Sequence, residues 1–148
     1  MSKEYFKGVA SVEESRAGLV PYSVTNDKYF VAMMKPTDPK YGGSDFQLCK
    51  GRIDGNDTTE ETAVKECKQE LGLEIQQSDI KLLWNNKDRR MIWYFCKVDG
   101  LPDMIPGPNE DGIIETKDAK WFEINEAEKI IRGWQRPILL MLKRRLGI

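Results

Sequence analysis

Two glutamates four residues apart, Glu66 and Glu70, have the spacing in this chain that most directly predicts chemistry. They follow a glycine-containing loop that opens at Gly51, within a segment of helical character that runs to Leu73. Residues four apart are neighbours on one helix face, so the two carboxylates lie side by side and repel each other. A divalent cation relieves such repulsion, and Mg²⁺ is usually held by one or two carboxylates plus substrate phosphate oxygens. The pair therefore predicts a metal site that acts on phosphate groups.

The chain contains no histidine. Ser-His-Asp and Cys-His nucleophilic mechanisms, histidine phosphotransfer and histidine metal sites are therefore excluded. Acid–base and metal chemistry must come from carboxylates, lysine, tyrosine or water. The absence of histidine therefore strengthens the case that the two glutamates carry this chemistry.

Length and composition predict one soluble globular domain over residues 1–148. A chain of 148 residues can bury about 70% of its unfolded surface, and its 40% hydrophobic and 32% charged residues are typical of globular proteins. A net charge of -1 gives no general attraction to nucleic acid or to anionic membranes. The apolar runs, such as 138–142, are too short to span a bilayer, and the N-terminus has no signal-peptide core. We therefore expect a cytoplasmic protein.

The three cysteines, Cys49, Cys67 and Cys96, are odd in number, widely spaced and embedded in apolar patterns. Such cysteines in a reducing compartment are typically buried free thiols. We expect a packing role for them in preference to a disulfide or a zinc site.

Alternating strand and helix patterns predict an α/β sandwich, a mixed sheet with helices on both faces. The segment 90–98 is apolar on both faces, as expected for a covered sheet interior. Helices are predicted from 57 or 58 to 71, from 125 to 132, and from there to the C-terminus with an interruption near Pro137. Strands are predicted at 16–23, 28–34, 45–50, 80–84, 90–98 and 119–124.

The helix that carries the two glutamates has recognisable start and stop signals. Asp57 or Thr58 is the predicted N-cap, with Glu60 or Glu61 three residues later completing a capping box. Gly72 is the predicted left-handed C-cap. At 100° per residue the apolar side chains share one quadrant and the glutamates lie on the adjoining arc, so they face a cleft beside the core.

The segment 51–73 resembles the Nudix box, in which a Gly, five residues, a Glu and seven residues precede Arg-Glu-apolar-x-Glu-Glu-x-Gly-apolar. The resemblance extends to 16–22, which is similar to the first core strand of that family, and to 120–127, which is similar to its last strand and helix. The chain is thereby identified as a member of the Nudix hydrolase family. The positions in register are Gly51, Asp57, Lys65, Glu66, Cys67, Gln69, Glu70, Gly72 and Leu73.

Three box positions depart from the family pattern. Asp57 for Glu and Lys65 for Arg preserve opposite charges, and we expect these two residues to pair and support the loop and helix. Gln69 replaces a glutamate that the family often uses as a metal ligand. Its amide oxygen can coordinate but carries no charge, so metal affinity should fall or fewer ions should bind.

The resemblance implies hydrolysis of a nucleoside diphosphate linked to another group X, by water attack on phosphorus with Mg²⁺ or Mn²⁺. Glu66 and Glu70 carry over as metal ligands, and one of them can also orient or deprotonate the water. Gln69 and a backbone carbonyl at Lys50 or Gly51 are expected to complete the coordination.

Many members of the family place a further catalytic carboxylate in the loop before the last strand. Glu115 stands six residues before Trp121, a spacing found in some mutator-type pyrophosphohydrolases, and is the first choice. Glu110 and Asp111 are the alternatives. The competing interpretation is that all three are solvated loop charges.

Three residues are candidates for substrate binding. Lys50 and Arg52 flank the loop glycine and can contact phosphates, although exposed loop cations are also ordinary surface charge. Tyr41, in a glycine-rich loop, is a candidate for stacking on a base. Trp93 lies inside an apolar strand, where core packing is the expected role.

The identity of X stays open at this level. Lys50-Gly51 resembles the start of the box in the diadenosine polyphosphate branch, while ADP-ribose, nucleotide sugars, dinucleotide cofactors and capped RNA ends remain alternatives. A non-catalytic nucleotide-binding or sensor module is the competing function, motivated by Gln69, but the retained Glu66 and Glu70 argue against it. Family members often form homodimers, and no sequence feature identifies an interface.

Overall fold

The computed structural model describes residues 15–38, residue 40 and residues 45–148. Within these residues one mixed sheet is covered by helices on both faces, as predicted, and no helix has both the length and the apolar character needed to cross a bilayer. Single-turn 3₁₀ helices occupy Gln77–Asp79 and Gly133–Gln135. The other elements are β1 (Arg16–Thr25), β2 (Lys28–Pro36), β3 (Cys49–Arg52), α1 (Thr59–Leu71), β4 (Lys81–Asn86), β5 (Met91–Lys97), β6 (Thr116–Glu123), α2 (Ile124–Ile130) and α3 (Arg136–Leu146).

Strand β1 organises the sheet, whose order is β4-β5-β1-β2-β6 with β3 also paired to β1. One edge of β1 runs parallel to β5. On its other edge, the first half of β1 pairs with β3 and the second half with β2, both antiparallel. The short strand β3 is therefore held in the middle of the sheet, beside α1.

Each face of the sheet has its own hydrophobic core. Successive strand residues point to opposite faces, so Leu19 and Val20 belong to different cores. The core under α1 includes Ala17, Leu19, Ala63, Cys67 and Leu71. The core under α2 and α3 includes Val20, Val31, Trp93, Leu139 and Leu142. Trp93 is fully buried, which confirms its packing role.

The three cysteines are buried free thiols, as predicted. Cys49 Sγ donates to the Leu19 carbonyl at 3.2 Å, and burial raises the pKa of the Cys49 thiol well above its usual value. Burial likewise raises the pKa of Cys96 to about 12. Cys49 and Cys96 therefore remain protonated, and all three buried cysteines pack as small apolar side chains.

The predicted strand 45–50 is wrong in its bounds, because regular pairing begins only at Cys49. Phe46 and Gln47 form isolated bridges to Ile131 and Met34 instead. This segment contacts β2 through Met34 and the C-terminal part of the chain through Ile131, but it runs alongside neither of them. A sequence that predicts a strand therefore forms only isolated bridges here.

The two C-terminal helices also differ from the prediction. The Glu123 side chain, and not Asn125, caps α2 by accepting from the Asn125 N–H at 3.2 Å. Pro137 lies in the first turn of α3 and does not interrupt it. Proline suits the first turn of a helix, where its missing N–H needs no partner. The break falls earlier, in the 3₁₀ turn Gly133–Gln135.

Helix α1 begins with the capping box that the sequence predicts, and the structure selects Thr58 and Glu61. The Glu61 N–H donates to Thr58 Oγ1 at 3.1 Å and the Thr58 N–H donates to Glu61 Oε1 at 2.7 Å. The helix ends at Gly72, which has a φ of 72° and whose N–H donates to the Lys68 carbonyl at 3.0 Å. Both ends of the glutamate helix are therefore set by local hydrogen bonds.

The loop 101–115 is seated on the C-terminal end of α1. A Cβ at Gly72 would collide with the backbone of Ile105, and the Gly107 N–H donates to the Gln69 carbonyl at 3.0 Å. Glycine at 72 is therefore needed for its positive φ and for the close approach of the loop.

We expect Gly72→Ala to lower the free energy of unfolding by more than the ~1–2 kcal/mol that a left-handed conformation costs alanine, because the new methyl also displaces the loop. Gly147→Ala is the matched control, since Gly147 caps α3 with a φ of 74° and has open space around it. Urea denaturation measures both variants. Equal losses would show that the contact with Ile105 contributes nothing.

Candidate active site

Three carboxylates converge in one cavity. Glu66 and Glu70 come from α1 and Glu115 comes from the residue before β6, and one oxygen from each lies within 4.8 Å of the others. Glu110 and Asp111 line the same cavity but do not join this group. The structure thus brings together the two box glutamates and the first-choice loop carboxylate.

Glu66 packs directly on the backbone of β3. Gly51 pairs with Ala17 of β1, and a Cβ at Gly51 would collide with the Glu66 carboxyl group. The box glycine is therefore required so that the glutamate can lie against the strand.

Glu70 is fixed from two sides. The Lys50 N–H donates to Glu70 Oε1 at 3.0 Å. The Glu70 backbone carbonyl accepts from Thr116 Oγ1 at 2.7 Å, which joins α1 to the start of β6. These bonds link β3, α1 and β6 at the carboxylate group.

Glu115 is held by Asn109, a residue that the sequence reasoning missed. Asn109 Nδ2 donates to Glu115 Oε2 at 3.1 Å. The Asn109 Oδ1 atom accepts from the N–H groups of Asp111 at 2.9 Å and Ile113 at 3.0 Å, which closes a tight turn. Asparagine in a Pro-Asn-Glu-Asp-Gly stretch is a recognisable turn signal, but only the structure shows its contact with Glu115.

The two box glutamates are costly to ionise together. Burial raises the pKa of Glu66 to about 7, and the charge of Glu115 adds to this. Burial raises the pKa of Glu70 to about 8, with a further contribution from Glu66. The Lys50 N–H and its ammonium group oppose the shift at Glu70 only in part. A cation among these oxygens would remove the cost, and carboxylate oxygens are the donors that Mg²⁺ and Mn²⁺ prefer.

The loop before α1 is tied to the helix by the pair that the sequence predicts. Lys65 Nζ lies 3.1 Å from Asp57 Oδ2 and 3.5 Å from Asp54 Oδ2. The substituted box positions therefore still pair, although the ammonium is shared between two carboxylates and does not form the planar fork of an arginine.

The cavity, of about 1170 Å³, also has a cationic part. The candidates Lys50, Arg52, Gln69 and Gly51 all line it, and Gln69 Nε2 donates to Glu110 at 3.5 Å. Tyr41 lies outside the described residues. Among the lining residues that sequence reasoning missed are Arg16, Arg89, Arg132 and Trp134.

These four residues come from the start of β1, the turn between β4 and β5, and the segment before α3. No local motif marks them, because they are far apart in the chain. Burial lowers the pKa of Lys50, one of the cations of the cavity. The charge of Glu70 raises this pKa, and the charges of Arg132 and Arg16 lower it further.

We expect the metal-free protein to lose thermal stability as the pH rises from about 5 to about 8. Glu66 and Glu70 have folded-state pKa values above the unfolded value of 4.5. Protonation of these two groups therefore makes its full contribution to the free energy of unfolding below pH 4.5. This contribution is lost as the pH rises through the folded-state pKa values of about 7 and about 8. Differential scanning fluorimetry in chelator, and again with Mg²⁺, measures the change.

Glu70→Gln should flatten this pH dependence, since the amide stays neutral. Glu74→Gln is the matched control, because Glu74 is exposed and pairs with Lys68 at 3.6 Å. Added Mg²⁺ should restore stability at about pH 8 in the control and the unmodified protein. A metal-free protein that becomes more stable over this range would contradict the assignment.

A model of the NUDIX domain matches residues 16–142. An ADP-ribose pyrophosphatase of Methanocaldococcus jannaschii is 28% identical over 98 residues, a match that covers 62% of this chain and 57% of that protein. The match therefore spans little more than half the length of this relative.

Solved structures share the fold. The NUDIX domain of Shewanella oneidensis NrtR, complexed with ADP ribose, has a TM-score of 0.72 at 14% identity and covers 99% of both chains. A Caenorhabditis elegans Ap4A hydrolase in a binary complex has a TM-score of 0.68 at 20% identity, over 89% of this chain and 98% of that one. Because the family model covers most of the chain and the box residues converge in one cavity, this protein belongs to the Nudix hydrolase family.

Proposed function

We propose that this protein is a metal-dependent pyrophosphohydrolase that cleaves a nucleoside diphosphate linked to a group X by water attack on phosphorus. The observation that carries the proposal is the convergence of Glu66, Glu70 and Glu115 within 4.8 Å in a cavity that also contains cations. Membership of the Nudix hydrolase family supports it.

The carboxylate group fits a divalent ion, either Mg²⁺ or Mn²⁺. Two of its members are buried enough for their pKa values to rise to about 7 and about 8, so the ionised group needs a compensating positive charge. We assign Glu66 and Glu70 as ligands, with the Gln69 amide oxygen and the Gly51 carbonyl completing the set. When bound, such an ion neutralises pyrophosphate charge and makes a coordinated water more acidic.

We assign proton acceptance to Glu115. It is exposed, whereas Glu66 is buried and Glu70 accepts a bond from the Lys50 N–H. Asn109 donates to Glu115 Oε2, and this hydrogen bond restrains the carboxylate. An acceptor must be positioned before its pKa matters, and Asn109 supplies that position.

Gln69 sets this chain apart from the usual box. Its amide lies beside Glu110 at 3.5 Å, at the junction of α1 and the loop 101–115. The missing charge lowers the number of carboxylates available to metal by one. We therefore propose that fewer ions bind here than at a box with glutamate in this position.

The partner we propose is a small nucleotide. The relative is named an ADP-ribose pyrophosphatase, and the two solved structures are an ADP ribose complex and an Ap4A hydrolase. ADP-ribose and diadenosine polyphosphates are therefore the first two classes to test, followed by nucleotide sugars and dinucleotide cofactors. The three buried free thiols fit a reducing compartment such as the cytoplasm.

We expect turnover of at least one of these classes with Mg²⁺ or Mn²⁺, and none in chelator. Glu70→Gln should abolish it, because the amide removes a charged ligand. Glu74→Gln, which changes an exposed glutamate, should retain it. Product release across the substrate panel, followed by chromatography, is the measurement. Tight binding without turnover by the folded protein would favour the non-catalytic nucleotide-binding module and identify Gln69 as its cause.

Glu115→Gln should lower kcat by about 10²–10⁴-fold, the usual contribution of a positioned acid or base. The thermal midpoint should change little, because Glu115 is exposed. Asp111→Asn is the control, since Asp111 lies four residues away in the same loop and outside the carboxylate group. An unchanged kcat for Glu115→Gln would remove this residue from the mechanism.

A further inference from the structure

Three cations surround one aromatic ring in the cavity. The Arg89 guanidinium carbon lies 4.4 Å from the centroid of the Trp134 ring. The Arg132 guanidinium carbon lies at 5.8 Å and the Lys50 ammonium nitrogen at 6.0 Å. We call Lys50, Arg89 and Arg132 the Trp134 cation cluster, and all of them line the cavity that contains the carboxylates.

The cluster has excess positive charge. Within the part of the chain that the structure describes, none of its three members forms a salt bridge with a carboxylate. Arg16, Lys40 and Arg52 are further cations that line the same cavity. The face of one indole ring offsets only a small part of the repulsion among like charges, so the cavity favours an anion here.

Trp134 is a fixed support for these cations. It lies in the 3₁₀ turn Gly133–Gln135, and the neighbouring Gln135 is fully buried. Gln135 Oε1 accepts from the Leu48 N–H at 2.7 Å, which ties the turn to the residue before β3. Because Arg89 lies over the ring, Trp134 supports a guanidinium in this structure.

Lys50 connects the cluster to the carboxylates. Its backbone N–H donates to Glu70 Oε1, while its side chain reaches toward Trp134. An anion at the cluster is therefore separated from the carboxylate group by about one lysine side chain. The two charged parts of the cavity are adjacent and can hold neighbouring groups of one ligand.

We propose that Arg89 and Arg132 are specificity-determining residues that bind a phosphate of the substrate beyond the diphosphate attacked at the carboxylate group. This inference rests on the proposed function. A diphosphate held by metal at the carboxylates leaves the guanidinium groups of Arg89 and Arg132 without a salt-bridge partner among the described residues, whereas a longer phosphate chain extends to them. Guanidinium groups match phosphate with paired N–H donors. The enzyme therefore prefers polyphosphate-linked nucleotides to diphosphate-linked ones.

The kinetic test compares diadenosine tetraphosphate with ADP-ribose. In Arg89→Gln and Arg132→Gln, the ratio of kcat/KM for the tetraphosphate to kcat/KM for ADP-ribose should fall about 10-fold, the scale of one lost charged hydrogen bond. The fall in kcat/KM for the tetraphosphate should come from a higher KM. Arg144→Gln removes an exposed cation outside the cavity and should leave the ratio unchanged. An unchanged ratio in the cluster variants, with active unmodified enzyme, overturns the inference and leaves the proposed function intact.

A binding test needs no turnover. Inorganic tripolyphosphate is titrated into the metal-free protein by calorimetry in the presence of chelator. The Kd for tripolyphosphate should be at least 10-fold higher in the double variant Arg89→Gln/Arg132→Gln than in the unmodified protein or in Arg144→Gln. The thermal midpoints of the three proteins are compared as a check on folding. Equal affinities overturn the inference. If no substrate is hydrolysed but this loss is seen, the proposed function fails and the anion site stands.

Discussion

The repulsion between two carboxylates buried side by side is the constraint around which this structure is arranged. Glu66 and Glu70 share one face of α1, and burial raises both of their pKa values. A carboxylate pair in this environment is stable only when protonated or when a cation is present. The nearby backbone accommodates the pair: Gly51 leaves room for one carboxyl group, and the Lys50 N–H donates to the other.

The end of α1 and the loop 101–115 are joined closely by backbone contacts beside the two glutamates. Gly72 lets the loop backbone approach, the Gly107 N–H satisfies the Gln69 carbonyl, and Thr116 satisfies the carbonyl of Glu70. The helix C-terminus would otherwise leave these carbonyls without intrahelical partners. Completing the helix end therefore also brings Glu115 to the two glutamates, so the stability of the loop and the geometry of the site depend on the same contacts.

Charge is divided within the cavity. One part holds carboxylates that need a cation, and the adjoining part holds the Trp134 cation cluster that needs an anion. In the function and specificity that we propose, a metal–polyphosphate ligand satisfies both parts at once, while a metal ion or a phosphate alone satisfies one. Lys50 belongs to both, through its backbone N–H and its ammonium group. A net charge of -1 for the whole chain gives no sign of this separation.

The sequence by itself determined the helix with its two glutamates, its capping box and its glycine end, because these depend on residues within a few positions of one another. It also determined the fold class, through strand and helix patterns that the sheet confirms. Only the tertiary structure decided that Glu115 joins the pair through Asn109, and that Arg89 and Arg132 gather on Trp134. Such contacts join residues up to 49 positions apart in the chain, as for Glu66 and Glu115, or depend on a turn whose path is set by packing, so local patterns do not determine them.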